Sequence, residues 1–161
     1  MNAVDISAVE AVPGLVLTNK HLIDDELWER LVNRIVTDEG IERHFAERIM
    51  DQALAFLSLV KYEPNGKFNP SELVDIGWHT FILYTKPYND FCRELTGHFI
   101  HHNPTDVPGV DYSDNGGPTA TVDALKRHGI TVDEPLWAHF HAGDCSNCNG
   151  GQGCQCGSCN Y

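Results

Sequence analysis

The stretch IERHFAERIMDQALAFLSLV, residues 41–60, decides the fold of this chain. Its apolar side chains recur every three or four residues, as they do on one face of an α-helix. These apolar positions are Ile41, Phe45, Ile49, Ala53, Leu57 and Val60. The residues expected on the opposite, polar face are Glu42, Arg43, Glu47, Arg48 and Asp51. The pattern therefore predicts a long helix with one side in a hydrophobic core and the other in water.

A shorter helix is expected before this stretch, and a turn after it. Asp24 or Asp25 is a suitable N-cap for a helix that runs to about Asp38, and Gly40 is a suitable end. The sequence EPNGK at residues 63–67 is a strong turn signal, because proline and Asn-Gly both interrupt helices. The first two helices are thus separated from the rest of the chain by clear boundaries.

The sequence predicts further helices after the turn. Ser71 or Asn69 is expected to cap a third helix, and Pro87 is expected to kink it or to restart it as a new one. Gly97 is a plausible end, and a short helix is expected over residues 121–128. No strand pattern competes. We therefore predict an all-α bundle of about four helices, packed mainly through the second and third.

The chain divides by composition into three parts. Residues 1–20 are expected to form an N-terminal arm, residues 21–142 the helical domain, and residues 143–161 a Cys/Gly-rich tail. The tail contains no repeating apolar residues and so cannot fill a core.

Charge and hydropathy exclude several classes of partner. The formal net charge is −12, and lysine and arginine never cluster, which argues against nucleic acid and against anionic membrane surfaces. No apolar stretch reaches the roughly 18–20 residues of a membrane span. The first residues lack the pattern of a signal peptide. A cytoplasmic location is therefore expected, and with it cysteines that bind metal rather than form disulfides.

The tail has the spacing of a thiolate metal site. Two C-x2-C units and one additional cysteine lie within about fifteen residues, and such turns place sulfur atoms correctly for a tetrahedral ion. The predicted ligands are Cys145, Cys148, Cys154, Cys156 and Cys159, with His139 and His141 as possible substitutes. Thiolates favour zinc, and the alternatives are copper(I) or an iron–sulfur cluster. A tail that binds nothing specific is the simpler alternative.

A second candidate site lies within the helical domain. Asp75 and His79 are four residues apart and share a helix face. If the segment after Pro87 folds back, it can bring Cys92, His101 and His102 to them. His98 lies three and four residues before His101 and His102, so a last helical turn would place the three histidines together. Such a pocket would bind zinc or iron, or activate a thiolate. Structural roles are the alternative. His79 would then be a core histidine, Cys92 a small buried apolar residue, and His101 and His102 part of a solvated helix end.

Several of these residues also carry a family resemblance. The runs 47–57, 75–85, 91–92 and 97–102 resemble the actinobacterial glycine-rich domain-containing proteins and, more distantly, the helical module of plant glycine-rich domain proteins. The signature positions are Trp78, His79, Tyr88, Cys92 and Gly97. The resemblance covers roughly residues 25–145 and implies a cytoplasmic bacterial helical domain. It implies no reaction, substrate or cofactor.

Four functions agree with these observations. The first is a metal-binding protein whose tail holds a soft metal on a helical scaffold, with a possible His/Cys/Asp site in the bundle. The second is a metal- or thiol-dependent enzyme that uses His79 and Cys92. The third is a precursor in which the helical part is a leader for a modified Cys/Ser/Gly peptide. The fourth is a module that binds a protein partner.

Overall fold

The computed structural model describes residues 17–102 and 117–138, and all regular secondary structure in these residues is helical. A short 3-10 helix, Lys20–Leu22, precedes six α-helices. These are α1 (Asp25–Glu39), α2 (Arg43–Tyr62), α3 (Glu72–Leu83), α4 (Thr85–Thr96), α5 (Gly117–Arg127) and α6 (Glu134–Trp137). The predicted all-α class is confirmed, although the described residues contain six helices rather than about four.

The ends of the helices follow local side-chain chemistry. The side chain of Asp24 accepts a hydrogen bond from the Leu27 amide and caps α1, and that of Ser71 accepts one from Val74 and caps α3. Gly40 and Gly97 end α1 and α4 in the left-handed conformation, with φ of 68° and 81°. Because glycine has no Cβ, it adopts this conformation without strain.

Helix α2 is the centre of the bundle and contacts α1, α3, α4 and α5. Fourteen of its 20 residues are buried, so that it is covered on nearly every side. Its most extensive contact is with α3, as the sequence predicted. Burial of such apolar surface is the dominant stabilising term for a domain of this size.

A glycine sets the distance between α2 and α3. A Cβ atom on Gly77 would lie 2.7 Å from Ala53 Cβ and 3.1 Å from the Ile49 carbonyl oxygen, which is closer than packed atoms approach. Residues two positions away on a helix point to the opposite side. Asp75 and His79 therefore project from the face of α3 that is turned away from α2.

Two charged residues that the sequence placed on the solvent face of α2 are buried instead. Arg48 forms a bidentate ion pair with Asp133, with Nε 2.7 Å from Oδ2 and Nη2 3.0 Å from Oδ1. Asp51 accepts hydrogen bonds from the backbone amide and side chain of Asn19. The prediction was wrong because helical spacing shows which residues share a face, not whether another segment covers that face.

The segment that covers this face ends in α6, which the sequence did not predict. Gln52 Oε1 accepts hydrogen bonds from the Asp133 amide and from Trp137 Nε1, and Gln52 Nε2 donates to the Thr131 carbonyl. Helix α6 has only four residues, too few for a periodic pattern to be read. These polar contacts with α2, together with the packing of α6 against α3 and α5, hold residues 131–137 in place.

Two further expectations concern the chain around Pro87 and Gly97. A new helix, α4, begins at Thr85. Of the kink and the restart predicted at Pro87, the structure therefore has the restart. The predicted last helical turn through His98, His101 and His102 is wrong, since α4 ends at Thr96 and residues 99–102 lack helical structure. The left-handed Gly97 prevents the helix from continuing.

The described residues contain no helix that is both long and apolar enough to cross a membrane.

Candidate metal centre

Helix α3 supplies two of the three residues of the candidate site. Asp75 and His79 lie one turn apart, and His79 Nε2 is 3.5 Å from Asp75 Oδ2. The side chain of His79 is 58% exposed and that of Asp75 is 27% exposed. Unlike a core histidine, His79 exposes more than half of its side chain, so a ligand from solvent can reach its ring.

The third residue, His102, comes from the non-helical segment after α4. Its Nε2 lies 3.0 Å from Asp75 Oδ1, so that the two oxygens of one carboxylate face two imidazole rings. The rings of His79 and His102 have centroids 4.4 Å apart and are inclined by 44°. The side chain of His102 is only 17% exposed, which makes it the most enclosed of the three.

Together the three side chains form a compact cluster of possible metal ligands. One ligand atom from each of Asp75, His79 and His102 lies within 4.8 Å of the other two. Among residues 17–102 and 117–138 this is the one such group of three or more His, Cys, Asp or Glu residues. Two imidazoles and a carboxylate are a common ligand set for zinc and for non-haem iron.

A buried hydrogen-bonded chain lies directly beneath the cluster. Trp78 Nε1 donates to the Tyr88 hydroxyl at 2.8 Å, and this hydroxyl donates to the Ile100 carbonyl at 2.7 Å. The Trp78 ring contacts His102, with centroids 4.4 Å apart, and on another side contacts Phe56 at 5.1 Å. Burial raises the pKa of Tyr88 well above its ordinary value, so its hydroxyl remains protonated and able to donate.

The other candidates from this region lie outside the cluster. Cys92 is fully buried on α4, and burial raises the pKa of its thiol. It therefore has the properties of a core cysteine and lacks those of an activated nucleophile. His101 is exposed and packs against Phe99, with ring centroids 4.9 Å apart, and His98 contacts the Thr96 carbonyl. Of the predicted pocket, the structure thus brings together Asp75, His79 and one of the paired histidines.

The predicted ligands of the tail fall outside the described residues. They are His139, His141, Cys145, Cys148, Cys154, Cys156 and Cys159. The thiolate site and the domain boundary at residue 142 remain predictions.

The fold and the cluster define the class of this protein: an all-helical domain with a candidate two-histidine, one-carboxylate metal centre. The model of the UCP032817-like family matches residues 19–123, and the chain belongs to this uncharacterised family. The match spans all three residues of the cluster. No curated protein and no solved structure matches the chain significantly.

Proposed function

We propose that this protein binds a divalent transition-metal ion through Asp75, His79 and His102, with zinc as the first candidate. The observation that carries the proposal is the convergence of three ligand atoms within 4.8 Å. Around a tetrahedral ion with bonds of about 2.0–2.1 Å, neighbouring ligand atoms lie about 3.3 Å apart. The two imidazoles face different oxygens of the Asp75 carboxylate, His79 Nε2 at 3.5 Å from Oδ2 and His102 Nε2 at 3.0 Å from Oδ1. Since the three ligand atoms lie within 4.8 Å of one another, side-chain movements would have to bring them closer around one ion.

The ligand types favour particular metals. Imidazole nitrogen suits zinc, copper, iron and nickel, whereas calcium and magnesium prefer shells made entirely of oxygen. A carboxylate adds the negative charge that stabilises a divalent ion, and the chain as a whole is acidic. We expect binding of zinc or cobalt(II) and little competition from magnesium.

The exposure of the cluster supports an open metal centre. Three protein ligands leave at least one position of a four-coordinate ion for water. His79 is the most exposed of the three residues, so this position can face solvent. Structural zinc sites are usually closed by four protein ligands, whereas catalytic sites keep one position open. If this protein is an enzyme, the proposed site therefore favours a metal-dependent enzyme over a thiol-dependent one.

Removing one histidine is expected to abolish most of the binding. In a full-length chain whose five tail cysteines are replaced by serine, zinc should bind with one ion per chain. His102→Ala should weaken this binding at least about 100-fold, because a lost ligand costs more than a lost outer-shell partner, which costs about 10–100-fold. Isothermal titration calorimetry measures both affinity and stoichiometry.

The matched control is His44→Ala. His44 is also 58% exposed and also pairs with a carboxylate, with Nδ1 3.2 Å from Glu42 Oε2, but no second histidine joins this pair. Its replacement should leave zinc affinity unchanged. Equal affinity in the parent, the His102→Ala variant and the His44→Ala variant would refute the proposed site.

The tail is proposed as a second, softer site, which its paired C-x2-C spacing supports. Cobalt(II) separates the two, since thiolate ligands produce intense charge-transfer absorption and the Asp/His cluster does not. The unaltered chain should show this absorption, and Cys145→Ser with Cys148→Ser should remove most of it without changing the helical circular dichroism. Complete absence of thiolate absorption in the unaltered, reduced chain would refute the tail site.

A further inference from the structure

The position of His102 needs an explanation, because this residue is not part of a helix. It lies five residues beyond Gly97, where α4 has already ended. Asp75 and His79 are held in place by the helix that carries them, but His102 depends on whatever fixes residues 98–102. A metal centre is only as well ordered as its least constrained ligand.

Tyr88 is one of the side chains that hold this segment, together with Thr96, whose hydroxyl donates to the His98 carbonyl, and Cys92, which makes a hydrogen bond with the Ile100 backbone. The Tyr88 hydroxyl donates to the carbonyl oxygen of Ile100, two residues before His102. The Tyr88 ring is fully buried and meets Phe99 edge-on, with ring centroids 5.2 Å apart. Tyr88 therefore holds the segment by a hydrogen bond to one residue and by ring packing against its neighbour.

The same hydroxyl also orients the surface against which His102 lies. It accepts the Trp78 Nε1 hydrogen at 2.8 Å, and the Trp78 ring contacts His102. Trp78 stands between Asp75 and His79 in sequence and belongs to the helix that carries both. The Tyr88 hydroxyl is thus bonded both to Trp78 on α3 and to the segment that carries His102.

We infer that Tyr88 is a positioning residue of the metal centre, and that its hydroxyl sets the relative placement of His102 and α3 before the metal arrives. This inference rests on the proposed function. With the hydroxyl present, the metal meets ligands already in place, and little ordering is required on binding. Without it, more of the ordering of this segment takes place at the moment of binding, and affinity falls.

The test is Tyr88→Phe in the full-length chain with serine in place of the five tail cysteines. We expect zinc to bind 10–100-fold more weakly, as for other outer-shell partners of metal ligands. The matched control is Thr121→Val. The Thr121 hydroxyl is also fully buried, accepts from the Asn69 amide and donates to the Asn69 carbonyl, but it lies on α5 and bonds the loop before α3. Each substitution removes one buried hydroxyl that both accepts and donates.

Both variants are expected to have lower melting temperatures, and affinity is compared well below either transition. Loss of zinc affinity in Tyr88→Phe with unchanged affinity in Thr121→Val supports the positioning role. An affinity within threefold of the parent in Tyr88→Phe, or an equal loss in both variants, overturns it.

A second measurement, made without metal, separates this inference from the proposed function. Long-range proton–nitrogen NMR of the histidine rings detects the contact between His102 Nε2 and Asp75, which should weaken in Tyr88→Phe and persist in Thr121→Val. If the parent chain bound no zinc, the proposed function would be wrong, and the NMR result would still show whether Tyr88 places His102. An unchanged His102 signal in Tyr88→Phe overturns the inference whatever the zinc affinity.

Discussion

Arg48→Met is expected to lower the free energy of unfolding by about 3–5 kcal/mol, the range measured when one partner of a buried ion pair is removed. The side chains of Arg48 and Asp133 are only 7% and 0% exposed. Methionine preserves much of the apolar length of arginine but removes the charge that compensates the Asp133 carboxylate. Urea denaturation followed by circular dichroism measures the effect.

The loss should depend on burial. Arg43→Met is the control on the same helix. Arg43 makes an equally short contact with Glu29, 2.7 Å, but is 45% exposed, and exposed ion pairs contribute little to stability because water screens them. A similar small loss in both variants would show that burial of the Arg48 pair has little energetic consequence.

Gly77→Val is expected to destabilise the bundle by about 3 kcal/mol, at the upper end of the range for overpacked cores. The first added carbon alone would overlap Ala53 Cβ at 2.7 Å, and valine adds two methyl groups beyond it. The gain in helix propensity over glycine, less than about 1 kcal/mol, does not offset such an overlap. Thermal denaturation compares the variant with the parent.

A second substitution identifies the cause of this loss. Ala53→Gly removes the atom that the new side chain meets first, so the double variant should recover part of the lost stability. The two single changes should therefore be non-additive. Strict additivity would indicate that α3 moves away from α2 at little cost, contrary to the close packing described above.

Local chemistry made most of the helix boundaries predictable. Asp24, Gly40, Ser71 and Gly97 all act as the caps that their residue types predict. Each of these roles depends on neighbours within one helical turn, and such short-range effects are encoded in a few adjacent residues. The same reasoning failed for Arg48 and Asp51, because their burial depends on segments far away in sequence.

The candidate site was predictable in part for the same reason. The pairing of Asp75 with His79 follows from their spacing on one helix. The choice of His102 over His101 does not, since it depends on a non-helical path after Gly97 and on the bond from Tyr88 to Ile100. Folding back of the segment after Pro87 predicts Cys92 at the site, whereas the structure buries it in the core.

The contacts that join α2 to residues 131–137 have a consequence for the order of folding. The ion pair of Arg48 with Asp133 and the hydrogen bond from Trp137 to Gln52 each connect residues 85 positions apart. Contacts so distant in sequence carry a large loop-closure entropy, whereas α1, α2 and α3 follow one another closely and meet early at lower entropic cost. We therefore expect α1–α3 to assemble first and residues 131–137 to dock late onto the surface that α2 presents. Substitutions in this late contact should mainly accelerate unfolding and leave the folding rate nearly unchanged.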